Sequence, residues 1–213
     1  MNNIKFINPL FDTEYFKNLF LSEIYNNIKN EFGDVINEWF MITLHTQVEH
    51  TQAQDWESTA KLEWTVSPNL TEKVGGECVG YISNTGEFTS TPSETKKSIK
   101  MYNFNFLDLA DRDKLLPVCN RHSFYYVWFS VHIGPQEVPV HVDKKSGLRY
   151  IQCIYKTGNH TDWTYQGETL DLSSNDAFVF DPKFKHSIVT PKDCVSIFLI
   201  ADCPQYTIEE WNV

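Results

Sequence analysis

From Phe124 onward the sequence is an almost unbroken series of short apolar runs separated by turn residues, and few architectures accept that pattern. Phe124 to His132 stops at Ile133-Gly134-Pro135. Pro139-Val-His-Val-Asp143 stops at Lys144-Lys-Ser-Gly147, and Leu148 to Tyr155 stops at Lys156-Thr-Gly158. Asp162 to Gln166, Glu168 to Leu172, Ala177 to Phe180 and Val195 to Ile200 follow at similar intervals. Strands this short and this closely spaced close into a barrel or jelly roll. Aromatic residues make up 15% of the chain, which suits a sheet-rich interior lined with flat side chains.

The first half reads differently. Phe16, Leu19, Phe20, Ile24 and Ile28 recur at three- and four-residue spacing, predicting an amphipathic helix from Asp12 to Phe32 with Asp12 or Thr13 placed to cap it and Gly33 to end it. Val35 to Leu44 is an apolar run that suits a strand near its end. Lys61 to Val66 alternates as a half-buried strand before Ser67-Pro68. Residues 67–100 read as short strands joined by a loop from Gly86 to Ser98, and Leu107 to Leu116 as one short helix. The expected organisation of residues 1–213 is one domain: an N-terminal helical and strand elaboration over 1–119, with the β core over 120–204.

Composition narrows the function classes. The 28 acidic residues outnumber the 18 basic ones, for a formal net charge of -10, and no dense Lys/Arg patch is visible, so a nonspecific grip on nucleic acid or an anionic membrane is not expected. The five cysteines, Cys78, Cys119, Cys153, Cys194 and Cys203, form no C-x-x-C pair and read as reduced thiols. No signal-like start or membrane-length apolar run is present, and the expectation is a cytoplasmic protein. Asn69-Leu70-Thr71 and Asn159-His160-Thr161 match the glycosylation pattern but carry little weight without a secretion signal.

His141 and Asp143, two residues apart in a strand-like stretch, leave the same face of the pleat and converge. His186, at the end of Phe178-Val-Phe-Asp-Pro-Lys-Phe-Lys-His186, is far enough along to return on a neighbouring or facing strand. Two imidazoles and a carboxylate on one face of an octahedral ion leave the other face open, as iron(II) oxygen chemistry requires. Taken alone, an H-x-D dipeptide is more often a solvated strand edge. His45 and His50 are spaced for opposite faces of a strand. His132 reads as a hydrogen-bonded structural histidine, and His122 and His160 as surface residues.

Ser130 to Pro204 resembles the aspartyl/asparaginyl β-hydroxylase family within the iron(II)/2-oxoglutarate-dependent oxygenases. The likeness rests on Ser130-Val-His-Ile-Gly-Pro ahead of the first histidine, Trp163, the strand and acidic turn before His186, and Ser196-Ile-Phe-Leu-Ile-Ala-Asp202 with Cys-Pro204. The resemblance implies a double-stranded β-helix, mainly β and cupin-like, with N-terminal helices packed on the sheet. It implies Fe(II) held by His141, Asp143 and His186, 2-oxoglutarate as cosubstrate, and hydroxylation of an amino-acid or peptide side chain, aspartyl/asparaginyl or prolyl hydroxylase-like. The sequence departs from that family in two ways. Asp143 follows the first histidine as in the wider superfamily. Ser196 stands where an arginine, about ten residues after the distal histidine, grips the far carboxylate of 2-oxoglutarate. Arg149 is the favoured substitute, with Lys156 and Lys192 weaker, although strand parity leaves its direction open; Ser130 and Tyr150 offer hydroxyls, or are ordinary strand polar residues. A non-catalytic jelly-roll binding or structural protein, and a cupin-type dioxygenase that does not use 2-oxoglutarate, remain the rival readings.

Overall fold

The computed structural model describes residues 3–26, 38–46, 77–83, 88–89, 95–105, 110–143, 147–158, 163–204, 207–209 and 211. Its elements in chain order begin with β1 (Ile4–Ile7), α1 (Thr13–Leu19) continued by a π turn over Phe20–Ile24, β2 (Glu38–Thr46), β3 (Glu77–Ser83), β4 (Phe88–Thr89) and β5 (Thr95–Asn105). Then come α2 (Arg112–His122), β6 (Tyr126–Ile133), β7 (Gln136–His141), β8 (Leu148–Lys156) and β9 (Trp163–Tyr165). The last four strands are β10 (Glu168–Leu170), β11 (Ala177–Phe180), β12 (His186–Thr190) and β13 (Val195–Cys203). The predicted helix extension to Phe32 with its Gly33 stop, the predicted strand over Lys61 to Val66, His50 and His160 lie outside the described residues.

From β6 to β13 the chain winds between two sheets. The larger contains the order β11-β8-β13-β6 and the smaller is β10-β9-β12-β7, every pair antiparallel. Apart from the β9–β10 hairpin, each connection carries the chain from one sheet to the other, which is the winding of a double-stranded β-helix, as the resemblance implies. β1 extends the larger sheet beyond β11, and β2 pairs with β6 to carry β5, β3 and β4 on the other side. The pattern predicts neither β1 nor β12. Both are short, and β12 reads His-Ser-Ile-Val-Thr with only Ile188 and Val189 strongly apolar.

Strand alternation divides the core in two. Inner-face residues Trp128, Ile151, Trp163, Phe178, Phe180 and Phe198 fill the space between the sheets. Val127, Phe129, Val131, Tyr150 and Leu199 face the other way and pack against Phe16, Phe20, Ile24, Leu115 and Cys119 of the helical layer. A seven-residue helix is marginal alone. Burying Phe16, Phe20 and Ile24, each completely covered, stabilises the α1 segment by about 2 kcal/mol per side chain. The Asp12 carboxylate accepts from the Tyr15 amide at 3.1 Å and supplies the predicted cap.

Two expectations are corrected. The helix predicted from Leu107 to Leu116 runs instead from Arg112 to His122, capped by Asp111 and continuing through Pro117. The hydrogen bond that the proline lacks would have gone to the carbonyl of exposed Asp113, which water can reach. His122 is not a surface residue: it is buried, with its ring stacked on Phe124 and Trp211 at 5.5 Å each, and burial pushes its imidazole below the ordinary value. A following Ser123 in the left-handed region turns the chain sharply enough to bring Phe124 onto it.

Cys119, Cys153, Cys194 and Cys203 are free thiols, and burial pushes Cys119 up to about 12. No helix among the described residues is long and apolar enough to cross a membrane.

Candidate metal centre

His141 is the last residue of β7 and His186 the first of β12, and the two are direct partners across that antiparallel pair. Their rings lie 4.2 Å apart, centroid to centroid. Asp143 lies two residues beyond, just past the strand, where its amide donates to the Pro182 carbonyl at 2.9 Å and ties it to the turn that leads into His186. One ligand atom from each of His141, Asp143 and His186 falls within 4.8 Å of the others.

Hydrogen bonds settle the protonation of the rings. His141 Nδ1 is 2.7 Å from the Pro139 carbonyl and His186 Nδ1 is 2.9 Å from the Phe184 carbonyl. A carbonyl only accepts, so each Nδ1 carries the hydrogen and each neutral ring keeps its lone pair on Nε2. Those two Nε2 atoms face the Asp143 carboxylate at 3.6 and 3.9 Å. Burial pushes His186 down to about 3, helped by neighbouring His141, and lowers His141 as well, against the pull of Asp143. The close approaches are therefore not ion pairs at neutral pH. Both Nε2 lone pairs thus face the Asp143 carboxylate, an arrangement of donors to a metal that a cation placed among them would stabilise. Two nitrogen donors and one oxygen donor fit a divalent transition metal such as iron(II).

The surrounding shell is specific. The Arg149 guanidinium donates from Nη1 to Asp143 Oδ2 at 2.6 Å and from Nε to Asp202 Oδ1 at 3.0 Å, and lies over the Trp128 ring at 5.2 Å. Gly147, at φ +103°, makes this possible: a Cβ there would lie 2.1 Å from the Cys203 carbonyl, so only glycine lets the start of β8 run this close to β13. Arg149 and Asp202 are then register partners. Trp163 stacks on the His186 ring and Phe180 meets it edge-on, walling the imidazole from water.

The other residues singled out from sequence are placed as follows. Arg149 comes to the triad, but its described contacts are carboxylates of the protein. Ser130 is on the inner face of β6, about 7 Å beyond Trp128 along the strand, with Oγ 2.8 Å from His132 Nε2. Ser196, fully buried, pairs with His132 and lies six residues, about 20 Å, along β13 from Asp202. The structure does not bring Tyr150 to the triad. Its hydroxyl accepts from the Leu10 amide at 3.0 Å and donates to Gln152 on the helix-covered face. His132 is buried and hydrogen-bonded to Ser130 and Gln136, as expected of a structural histidine. His45 lies in β2, its buried Nε2 having no hydrogen-bond partner among the described residues. Sequence reasoning missed Asp202 as the second carboxylate on Arg149, although an acid inside the apolar strand Val195–Cys203 is itself a signal that a cation faces it.

One pH dependence follows. A buried histidine whose folded pKa lies below the ordinary 6.5 binds fewer protons folded than unfolded, so its contribution is fully present above that value and is lost as pH falls. With metal removed by chelation, His186 alone is expected to cost about 2 kcal/mol on going from neutral pH to about pH 5. Urea denaturation at the two pH values checks this; a midpoint unchanged or higher at the lower pH contradicts it.

A double-stranded β-helix whose paired strand ends hold two histidines and an aspartate is the architecture that the geometry defines. No family model matches the sequence, and neither does any curated protein. Among solved structures, a salicylate 1,2-dioxygenase from Pseudaminobacter salicylatoxidans is similar over 36% of this chain and 20% of its own, at 18% identity and a TM-score of 0.30. An oxidoreductase of the 2OG-Fe(II) oxygenase family from Burkholderia pseudomallei is similar over 37% of this chain and 41% of its own, at 10% identity and a TM-score of 0.32. The chain thus spans about a fifth of the first and two fifths of the second. The fold assignment rests on strand order and register.

Proposed function

We propose that this protein is an iron(II)-dependent oxygenase that takes 2-oxoglutarate as cosubstrate and hydroxylates an amino-acid or peptide side chain. The observation that carries the reading is the convergence of His141 Nε2, His186 Nε2 and the Asp143 carboxylate, with both Nδ1 hydrogens held by backbone carbonyls. Bound there, iron(II) would supply the oxidising chemistry that amino-acid side chains lack. The protein's own part is positional. The Pro139 and Phe184 carbonyls fix which nitrogen of each ring is offered. Arg149 occupies one oxygen of Asp143, so the other is the oxygen that would hold the metal. Trp163 and Phe180 keep water off the His186 ring.

A second reading, an iron oxygenase that binds its substrate directly without 2-oxoglutarate, is favoured by one observation. Ser196 replaces the arginine that the resemblance leads one to expect, and the Arg149 guanidinium is engaged by Asp143 and Asp202. Anaerobic addition of 2-oxoglutarate to the Fe(II)-loaded protein separates the two. The first reading expects a weak visible charge-transfer band and, on admission of air, succinate formation that is lost in Asp143→Ala. Bound iron with neither band nor succinate leaves the second.

A further inference from the structure

On the outer face of the smaller sheet, a groove of about 600 Å³ runs beside the metal centre, with His186 in its lining. Val140 near the end of β7 and Val142 just beyond it line the groove, with Lys183-Phe184-Lys185 ahead of β12 and the polar Thr164 and Gln166. Val140 is 54% and Phe184 37% exposed, two of the four large apolar side chains left open to solvent among the described residues. Both lysines are exposed, and among the described residues neither has an ion-pair partner and no acidic side chain lines the groove. On a chain of net charge -10, two exposed cations bracketing an aromatic ring stand out.

We propose that this groove docks an acidic, apolar-containing segment of a partner polypeptide, delivering it to the edge of the metal centre. The apolar walls take aliphatic or aromatic side chains, and Lys183 and Lys185 take flanking Asp or Glu carboxylates, which set orientation and association rate more than affinity. A nucleic acid is the poorer occupant. Its phosphates would gain only two cations while approaching a strongly acidic protein. The groove is argued from its own geometry; only the role of the docked segment as substrate rests on the oxygenase reading.

Panning a random dodecapeptide phage library on metal-free protein tests it. Enriched peptides are expected to carry Asp or Glu next to Val, Leu, Ile or Phe. By fluorescence anisotropy they should lose about tenfold or more in affinity to K183E/K185E and to V140D, and less to K183Q/K185Q. A short oligothymidylate should not displace them. Enrichment of sequences without acids, full binding to K183E/K185E, or displacement by the oligonucleotide overturns the proposal. Because the selection is done without metal, its failure leaves iron binding by the triad untouched, and loss of iron binding leaves the selection untouched.

Discussion

His186→Ala is expected to weaken Fe(II) binding by more than about 100-fold, since even partners one shell removed from a metal cost 10–100-fold when lost. His141→Ala should match it, and the double variant should be little worse than either single one. A site with one imidazole and one carboxylate is no longer a three-point site, and a second removal takes away little that is left. The reason lies in the pairing of these residues across β7 and β12: each Nε2 lone pair is aimed by its own backbone carbonyl, so no neighbour can substitute for it. Metal content after equilibrium dialysis, with near-UV circular dichroism to verify the fold, measures this. Stoichiometric iron in His186→Ala contradicts it.

Arg149→Leu is expected to lower stability by about 3–5 kcal/mol, because it leaves one fully buried carboxylate, Asp202, and one largely covered one, Asp143, without their shared cation. For a chain of this length that is a fall in Tm on the order of 10 °C. The double variant Arg149→Leu, Asp202→Leu should recover part of the loss, since it removes a stranded charge as well as its partner. Thermal unfolding of the three proteins after chelation decides it. Equal stabilities for Arg149→Leu and the unaltered protein would mean that the 2.6 and 3.0 Å contacts contribute nothing.

Much of this architecture was legible because it is built of short apolar runs between turn residues. Phe124 to His132 and Val195 to Ile200 read as strands on that ground, and strands lie at Tyr126–Ile133 and Val195–Cys203. The H-x-D pair could be picked out because residues two apart on a strand share a face. What could not be read is where the partners come from. Arg149 was favoured as a grip for a cosubstrate, with its direction undecided; the answer depends on Asp202, 53 residues away and brought alongside by register. Tyr150 looked equally available until the segment from Leu10 to Thr13 supplied a different set of partners through Gln152. His122 looked exposed because the ring that covers it, Trp211, arrives from the far end of the chain. The helix expected to stop at Leu116 continues through Pro117, because that proline falls where the orphaned carbonyl meets solvent.

X-ray absorption of the Fe(II)-loaded protein tests the central claim most directly. The account predicts an iron shell of nitrogen and oxygen donors with the multiple-scattering signature of two imidazoles, falling to one in His186→Ala. Iron without imidazole scattering, or a spectrum that the substitution leaves unchanged, would contradict it.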